Sequence, residues 1–226
     1  MKITKTLLMC LTVALLSVPT FSAQDLSKYR NFSLGGSLAA ISKEAGGVTA
    51  DQVKTLHQKP KLIQQFTVWP VQSSDAATGA GPVQEMEFSF CDGRLYNITV
   101  TYQSDATRGL TSEDLIKAIS ADYGVATRPV AASNPSAISS VSDSAYKQVA
   151  LWQDSERSVN LSVSPLSQSF QLVILTKPLE AEADAAIAAA EAQDRADAPQ
   201  RENARLKQEA EDLQAERNAN LKAFRP

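Results

Sequence analysis

Apolar positions along this chain are spaced in different ways, and each spacing predicts a different element. Positions three and four apart mark helices. Ser37 can cap one that carries Leu38 and Ile41 and stops at Gly46-Gly47. Thr49 and Gln52 form a capping-box pattern for a second short helix with Val53 and Leu56, ending before Pro60. Thr111 and Asp114 repeat that box ahead of Leu115, Ile116, Ile119 and Tyr123, one apolar face that runs to Gly124. Short, β-rich runs predict six strands: Ile63 to Trp69, Val83 to Phe90, Leu95 to Gln103, Ala145 to Gln153, Arg157 to Ser164 and Ser169 to Thr176.

Two hairpins follow from the turns between these runs. A two-residue Asp92-Gly93 loop would set Phe88 opposite Asn97, so a three-residue loop, Cys91-Asp92-Gly93, is expected to pair Phe88 with Tyr96 and Met86 with Ile98. A loop of Asp154, Ser155 and Glu156 likewise pairs Leu151 with Val159 and Val149 with Leu161. Each hairpin then has one apolar face for a helix to cover. Ser73 to Pro82 and Ala131 to Ser144, rich in Ala and Ser, read as mobile surface loops.

Both halves read helix and then three strands, a weak internal repeat. The expected fold is α+β: an αα-βββ module over 24–104, an α-βββ module over 105–179, and a charged helical tail over 180–226. The tail holds 11 acidic and 7 basic residues, no aromatic before Phe224 and few large aliphatics, so it is not expected to build a core. Ala181 to Ala192 favours helix, and Glu191 with Arg195 and Asp197 with Arg201 are acid-first pairs four apart. Pro199 is expected to kink or restart the helix.

Composition adds an address. Lys2 and Lys5 precede a predominantly apolar run from Leu7 to Val18, followed by Pro19 and the small Ser22 and Ala23. Residues 1–23 thus read as a bacterial-type signal peptide, and the protein as periplasmic or extracellular. The run is shorter than the roughly 20 apolar residues that span a bilayer. Cleavage would move the formal charge from −3 to −5, which argues against nucleic acid as a partner. It would also remove Cys10 and leave Cys91 without an intrachain disulfide partner.

Candidate chemistry is sparse. Gly35-Gly36-Ser37-Leu38-Ala39 is one glycine short of the nucleophile elbow, and capping accounts for Ser37. Cys91 reads as a free thiol whose pKa Asp92 would raise; if exposed, it could link two chains. His57 falls at the end of the expected second helix, where the helix dipole favours a cation. One mature histidine and one cysteine cannot make the usual zinc cluster, and Glu85 with Glu87 reads as a solvated strand face. No catalytic, metal or cofactor residue is assigned. Three N-x-S/T triplets, at Asn31, Asn97 and Asn160, are discounted because the leader is bacterial in style and two lie in strands.

The remaining candidate surface is the tail seam of Leu206, Ala210 and Leu213, flanked by Asn203 and Arg217. It would contact a protein partner or a second copy of the chain.

The Leu34-Gly35-Gly36-Ser37-Leu38-Ala39-Ala40-Ile41 opening, a second short helix and the Val83 to Tyr102 hairpin together resemble the ααβββ modules of bacterial envelope proteins. These are the modules of the BamE-like outer-membrane assembly lipoproteins and, in tandem, of the β-lactamase inhibitory proteins. The resemblance spans residues 30 to 179 at most and implies non-catalytic binding; no functional residue transfers. The expectation is therefore an exported binding or envelope-assembly module. A structural protein that oligomerises through its C-terminal helix is the alternative, and a carboxylate-based hydrolase the third reading.

Overall fold

The computed structural model of the protein describes residues 25–69, 81–128 and 146–225, so the expected leader, all of 131–144 and most of 73–82 lie outside the described residues. Among the described residues the fold is α+β, as the alternation of patterns predicts. A hairpin of β1 (Lys28–Tyr29) and β2 (Phe32–Ser33) leads into helix α1 (Leu38–Glu44) and a 3-10 turn (Ala50–Gln52). Strands β3 (Lys54–His57), β4 (Ile63–Val68), β5 (Val83–Cys91) and β6 (Arg94–Tyr102) follow, then helix α2 (Ser112–Tyr123). Strands β7 (Lys147–Gln153), β8 (Arg157–Val163) and β9 (Phe170–Thr176) precede the long helix α3 (Lys177–Ala223).

All seven strands from β3 onwards join one antiparallel sheet in the order β3-β4-β5-β6-β9-β8-β7. The two predicted sets of three strands thus meet through their last members, β6 and β9, where Ile98 faces Ile174 and Val100 faces Leu172. Equivalent strands pairing antiparallel at the centre is the arrangement a local two-fold would produce.

Period-two alternation sends Phe66, Phe88, Phe90, Ile98, Leu161 and Ile174 to one face, where all are buried. There they form one core with Ile41 of α1 and with Leu115, Ile116 and Tyr123 of α2. Phe32, Phe66, Phe88 and Phe90 make a chain of aromatic contacts, with centroids 4.7 to 5.5 Å apart. The other face carries a smaller core in which Ile63, Cys91 and Tyr96 pack against Ala183 and Ala186 of α3.

The caps are where the residue types place them. The Ala40 amide donates to Ser37 Oγ at 3.3 Å, and Gly46 and Gly47, both with positive φ, follow the end of α1. Ser37 is therefore the N-cap, and Gly36 has a packing role: a Cβ there would lie 2.9 Å from the Ser33 carbonyl oxygen. At α2, the Thr111 amide donates to Asp114 Oδ2 at 2.9 Å while the Asp114 amide donates to Thr111 Oγ1 at 3.2 Å. Replacing Thr111 with Ala is expected to cost about 1 kcal/mol at neutral pH, read from a denaturant melt. The Thr111 hydrogen bonds hold the Asp114 carboxyl below its ordinary value. Its contribution is complete above the unfolded-state pKa and lost as pH falls through the folded one, so the gap between variant and parent should narrow in acid.

Four local expectations are corrected. Gln52 does cap the Thr49 amide, at 2.9 Å, but only a 3-10 turn follows; Lys54 to His57 is an edge strand paired with β4 rather than a helix. The open edge of β4 offers these residues ladder partners that a one-turn helix could not match. His57 is accordingly a strand residue, and its helix-end role falls.

In the first hairpin Asp92 and Gly93 both have positive φ and form a two-residue turn. A bulge between Ser89 and Phe90 on β5 and the facing residues Asn97 and Leu95 then shifts the register, so Phe88 faces Ile98 and Met86 faces Val100. Apolar residues still meet, by a bulge and not by a longer loop.

In the second hairpin the Asp154 carboxylate accepts from the Glu156 and Arg157 amides, at 2.7 and 2.6 Å, and tightens the turn. Trp152 then pairs with Val159 and Ala150 with Leu161, one residue from the expected register. Finally, α3 does not restart at Pro199 but continues through it as one helix. Arg201 donates to the Asp194 carbonyl at 2.8 Å and to its carboxylate at 3.1 Å, bridging the proline turn; it pairs with Asp194 in place of Asp197. The Glu191–Arg195 pair is present at 3.8 Å.

Candidate functional site

Helix α3 has two parts with different surroundings. Its base is part of the fold: Ala183, Ala186 and Ala190 are buried, and Leu179 and Ile187 pack beside them on the sheet. Small side chains at intervals of three and four let the helix lie close to the strands. Lys61 ties this base to the first hairpin by bridging Asp92, at 3.1 Å, and Glu182; Arg94 reaches Glu182 at 3.8 Å. The tail as delimited by composition therefore begins inside the body.

Beyond Ala190 almost every residue is exposed. Residues 191 to 223 form an arm on the order of 50 Å long at 1.5 Å per residue. Its surface is laced with ion pairs, including Arg205 to Glu202 and to Glu209, both at 2.6 Å. Leu206 and Leu213 lie on one side of it with Ala210 between them, and both leucines are more than half bare or nearly so, at 50% and 68%. Among the described residues no buried contact covers that strip.

Cys91 lies at the end of β5, completely buried beneath α3, and is reduced. Burial, reinforced by the charges of Asp92 and Glu182, pushes its thiol up. It should react with a thiol reagent at pH 8 only at the rate of unfolding and become fully reactive in guanidinium; rapid native labelling would contradict its placement. A disulfide between two chains would require α3 to lift. Cys91, Asp92 and Glu182 together have donor atoms within 4.8 Å of one another, a spacing that could suit a metal. Lys61 and Arg94 already supply positive charge to those carboxylates.

Glu180 and Asp184, one turn apart on α3, are both raised by burial; burial, reinforced by the charges of Asp184 and Glu180, pushes Tyr96 up to about 12. Neither acid lines the cavity between the β1-β2 hairpin and α2. Glu85 and Glu87 share a strand face; Glu85 accepts from Trp69 Nε1 at 3.1 Å.

A cavity of about 580 Å³ opens on the opposite face of the sheet, between the β1-β2 hairpin and α2. Its walls are Leu115, Ile119, Leu172 and three tyrosines, Tyr29, Tyr102 and Tyr123. The Tyr123 hydroxyl donates to the Lys28 carbonyl at 2.6 Å. The Tyr29 and Tyr102 hydroxyls lie close enough to influence each other, and burial raises the pKa of all three tyrosines, so they stay protonated. Nothing in the sequence pattern singled these out: they come from three separate elements, and only the fold brings them together.

No family model, curated protein or solved structure matches the chain. Among the described residues no helix is long and apolar enough to cross a membrane.

Proposed function

We propose that this is an exported, non-catalytic binding protein whose folded body anchors a rigid helical arm and presents it to a protein partner. One observation supports this reading above the others: α3 is a single helix whose base is locked into the sheet while the 33 residues beyond Ala190 stand free. A helix that polar all round either bridges to another body or is held by its own ion pairs, and the bare Leu206 and Leu213 favour bridging. The contact strip is Leu206, Ala210 and Leu213, and the partner surface it fits is the apolar face of a helix.

A second copy of the arm is the alternative occupant. From 191 to 226 the arm carries 8 acidic and 7 basic residues, so two arms would not repel. Sedimentation of the purified protein separates the two readings. A monomer that photocrosslinks from position 206 to one discrete partner in cells, and loses it with Leu213→Glu, supports a foreign helix. A dimer dispersed by Leu206→Glu and Leu213→Glu supports self-association and a structural role. A monomer with no crosslink from 206, 210 or 213 would sink both. The hydrolase reading has no comparable support, because the acids raised by burial, Glu180 and Asp184 on α3 and Glu87 on β5, do not line the cavity.

A further inference from the structure

The tyrosine-walled cavity is independent of the arm, because the two occupy opposite faces of the sheet. Four charged side chains stand around it: Asp25 and Lys28, which pair at 3.3 Å, together with Arg30 and Asp122. Two acids and two bases cancel, so the mouth selects neither an anion nor a cation. The interior is mainly apolar, with the phenol groups and the Thr107 hydroxyl as its polar atoms; Thr107 donates to the Gln103 carbonyl at 3.0 Å. Tyr29 and Tyr102 are neighbours in its wall, and a hydrogen bond between their hydroxyls would use only one of the two O–H protons. The other proton can be donated to a ligand that offers an acceptor oxygen inside the cavity.

Arg30 adds an independent sign. It holds a φ of 54°, in the left-handed region that non-glycine residues avoid, and its guanidinium lies 5.2 Å from the Tyr29 ring centroid. That φ belongs to the two-residue turn between Tyr29 and Phe32, and with the guanidinium over the Tyr29 ring it fixes this wall before anything binds. The volume of about 580 Å³ falls within the roughly 300–1,000 Å³ of small-molecule sites.

We propose that this cavity binds a small uncharged molecule: a rigid apolar system of two or three rings bearing one carbonyl or ether oxygen, which accepts the spare tyrosine proton. The apolar rings lie against Leu115, Ile119 and Leu172, and the oxygen points to the Tyr29–Tyr102 pair.

The test uses Prodan, a neutral naphthalene ketone whose emission shifts to the blue in an apolar site, titrated into the purified protein. Saturable binding at one site per chain is expected. Ala118→Phe, which fills the cavity from α2, should weaken it at least tenfold, on the order of 1.4 kcal/mol. Should that variant fail to fold, Leu110→Trp blocks the half-exposed mouth instead. The double variant Tyr29→Phe, Tyr102→Phe removes the donor and should weaken Prodan about tenfold. It should leave 2-dimethylaminonaphthalene, which lacks the ketone, within about twofold. No saturable shift, or full binding by a folded blocked variant, would overturn the site. Equal effects of the double variant on both dyes would overturn the hydrogen-bond assignment.

Discussion

Cutting the chain after Pro178 should destabilise the body severely, whereas cutting after Ala192 should leave its stability unchanged. The first cut removes Leu179, Ala183, Ala186 and Ile187 and uncovers Ile63, Cys91 and Tyr96, three residues that α3 keeps from water. Burying a large apolar side chain is worth about 1.5–3 kcal/mol, so the loss is about 4–6 kcal/mol. Domains of this size are stable by only about 5–15 kcal/mol, and the shorter fragment should be largely unfolded at body temperature or aggregate. The second cut keeps every buried residue of α3. Urea melts of the two fragments decide it; equal midpoints would mean that the base of α3 contributes no core. It follows that an arm deletion meant to probe binding must end at Ala192, since the earlier cut would confuse loss of a partner with loss of fold.

Replacing Trp152 with Ala should be the most damaging single substitution in the second half of the sheet. Its indole is 2% exposed and donates to the Gly124 carbonyl at 2.8 Å, with Ser120 Oγ also at 3.3 Å. Gly124 is the C-cap of α2, so this bond satisfies a carbonyl at a helix end while joining α2 to β7. A large-to-small change here should cost about 3–5 kcal/mol. Trp152→Phe retains most of the apolar burial but leaves that carbonyl unpaired, and should cost about 1–3 kcal/mol. If both variants melt within experimental error of the parent, the indole does not hold helix to sheet as described.

Much of this architecture was legible because it depends on local chemistry. Ser37, the Thr111–Asp114 box and the glycines at 46, 47 and 124 mark helix ends through their own hydrogen bonds and backbone freedom. Six strands were recognisable from their residue types to within two residues or so. Register was not, because it turned on details invisible to alternation: a bulge at Tyr96, and a side chain, Asp154, that tightens a turn. The strand at Lys54 was missed because its reason is non-local, the free edge of β4.

Composition misjudged the base of α3 for a related cause. Alanines contribute little to a hydrophobicity count, yet Ala183, Ala186 and Ala190 are what permits close packing on a sheet. The arm's candidate residues were readable from their heptad spacing. The cavity was not, since Tyr29, Tyr102 and Tyr123 are far apart in the chain and unremarkable singly.

Small-angle X-ray scattering of the purified protein and of the fragment ending at Ala192, extrapolated to zero concentration, bears most directly on the anchored arm. A free, rigid helix predicts that the maximum dimension falls by tens of ångströms when an arm on the order of 50 Å is removed. Equal maximum dimensions would mean that the arm lies folded along the body, and would contradict its presentation to a partner.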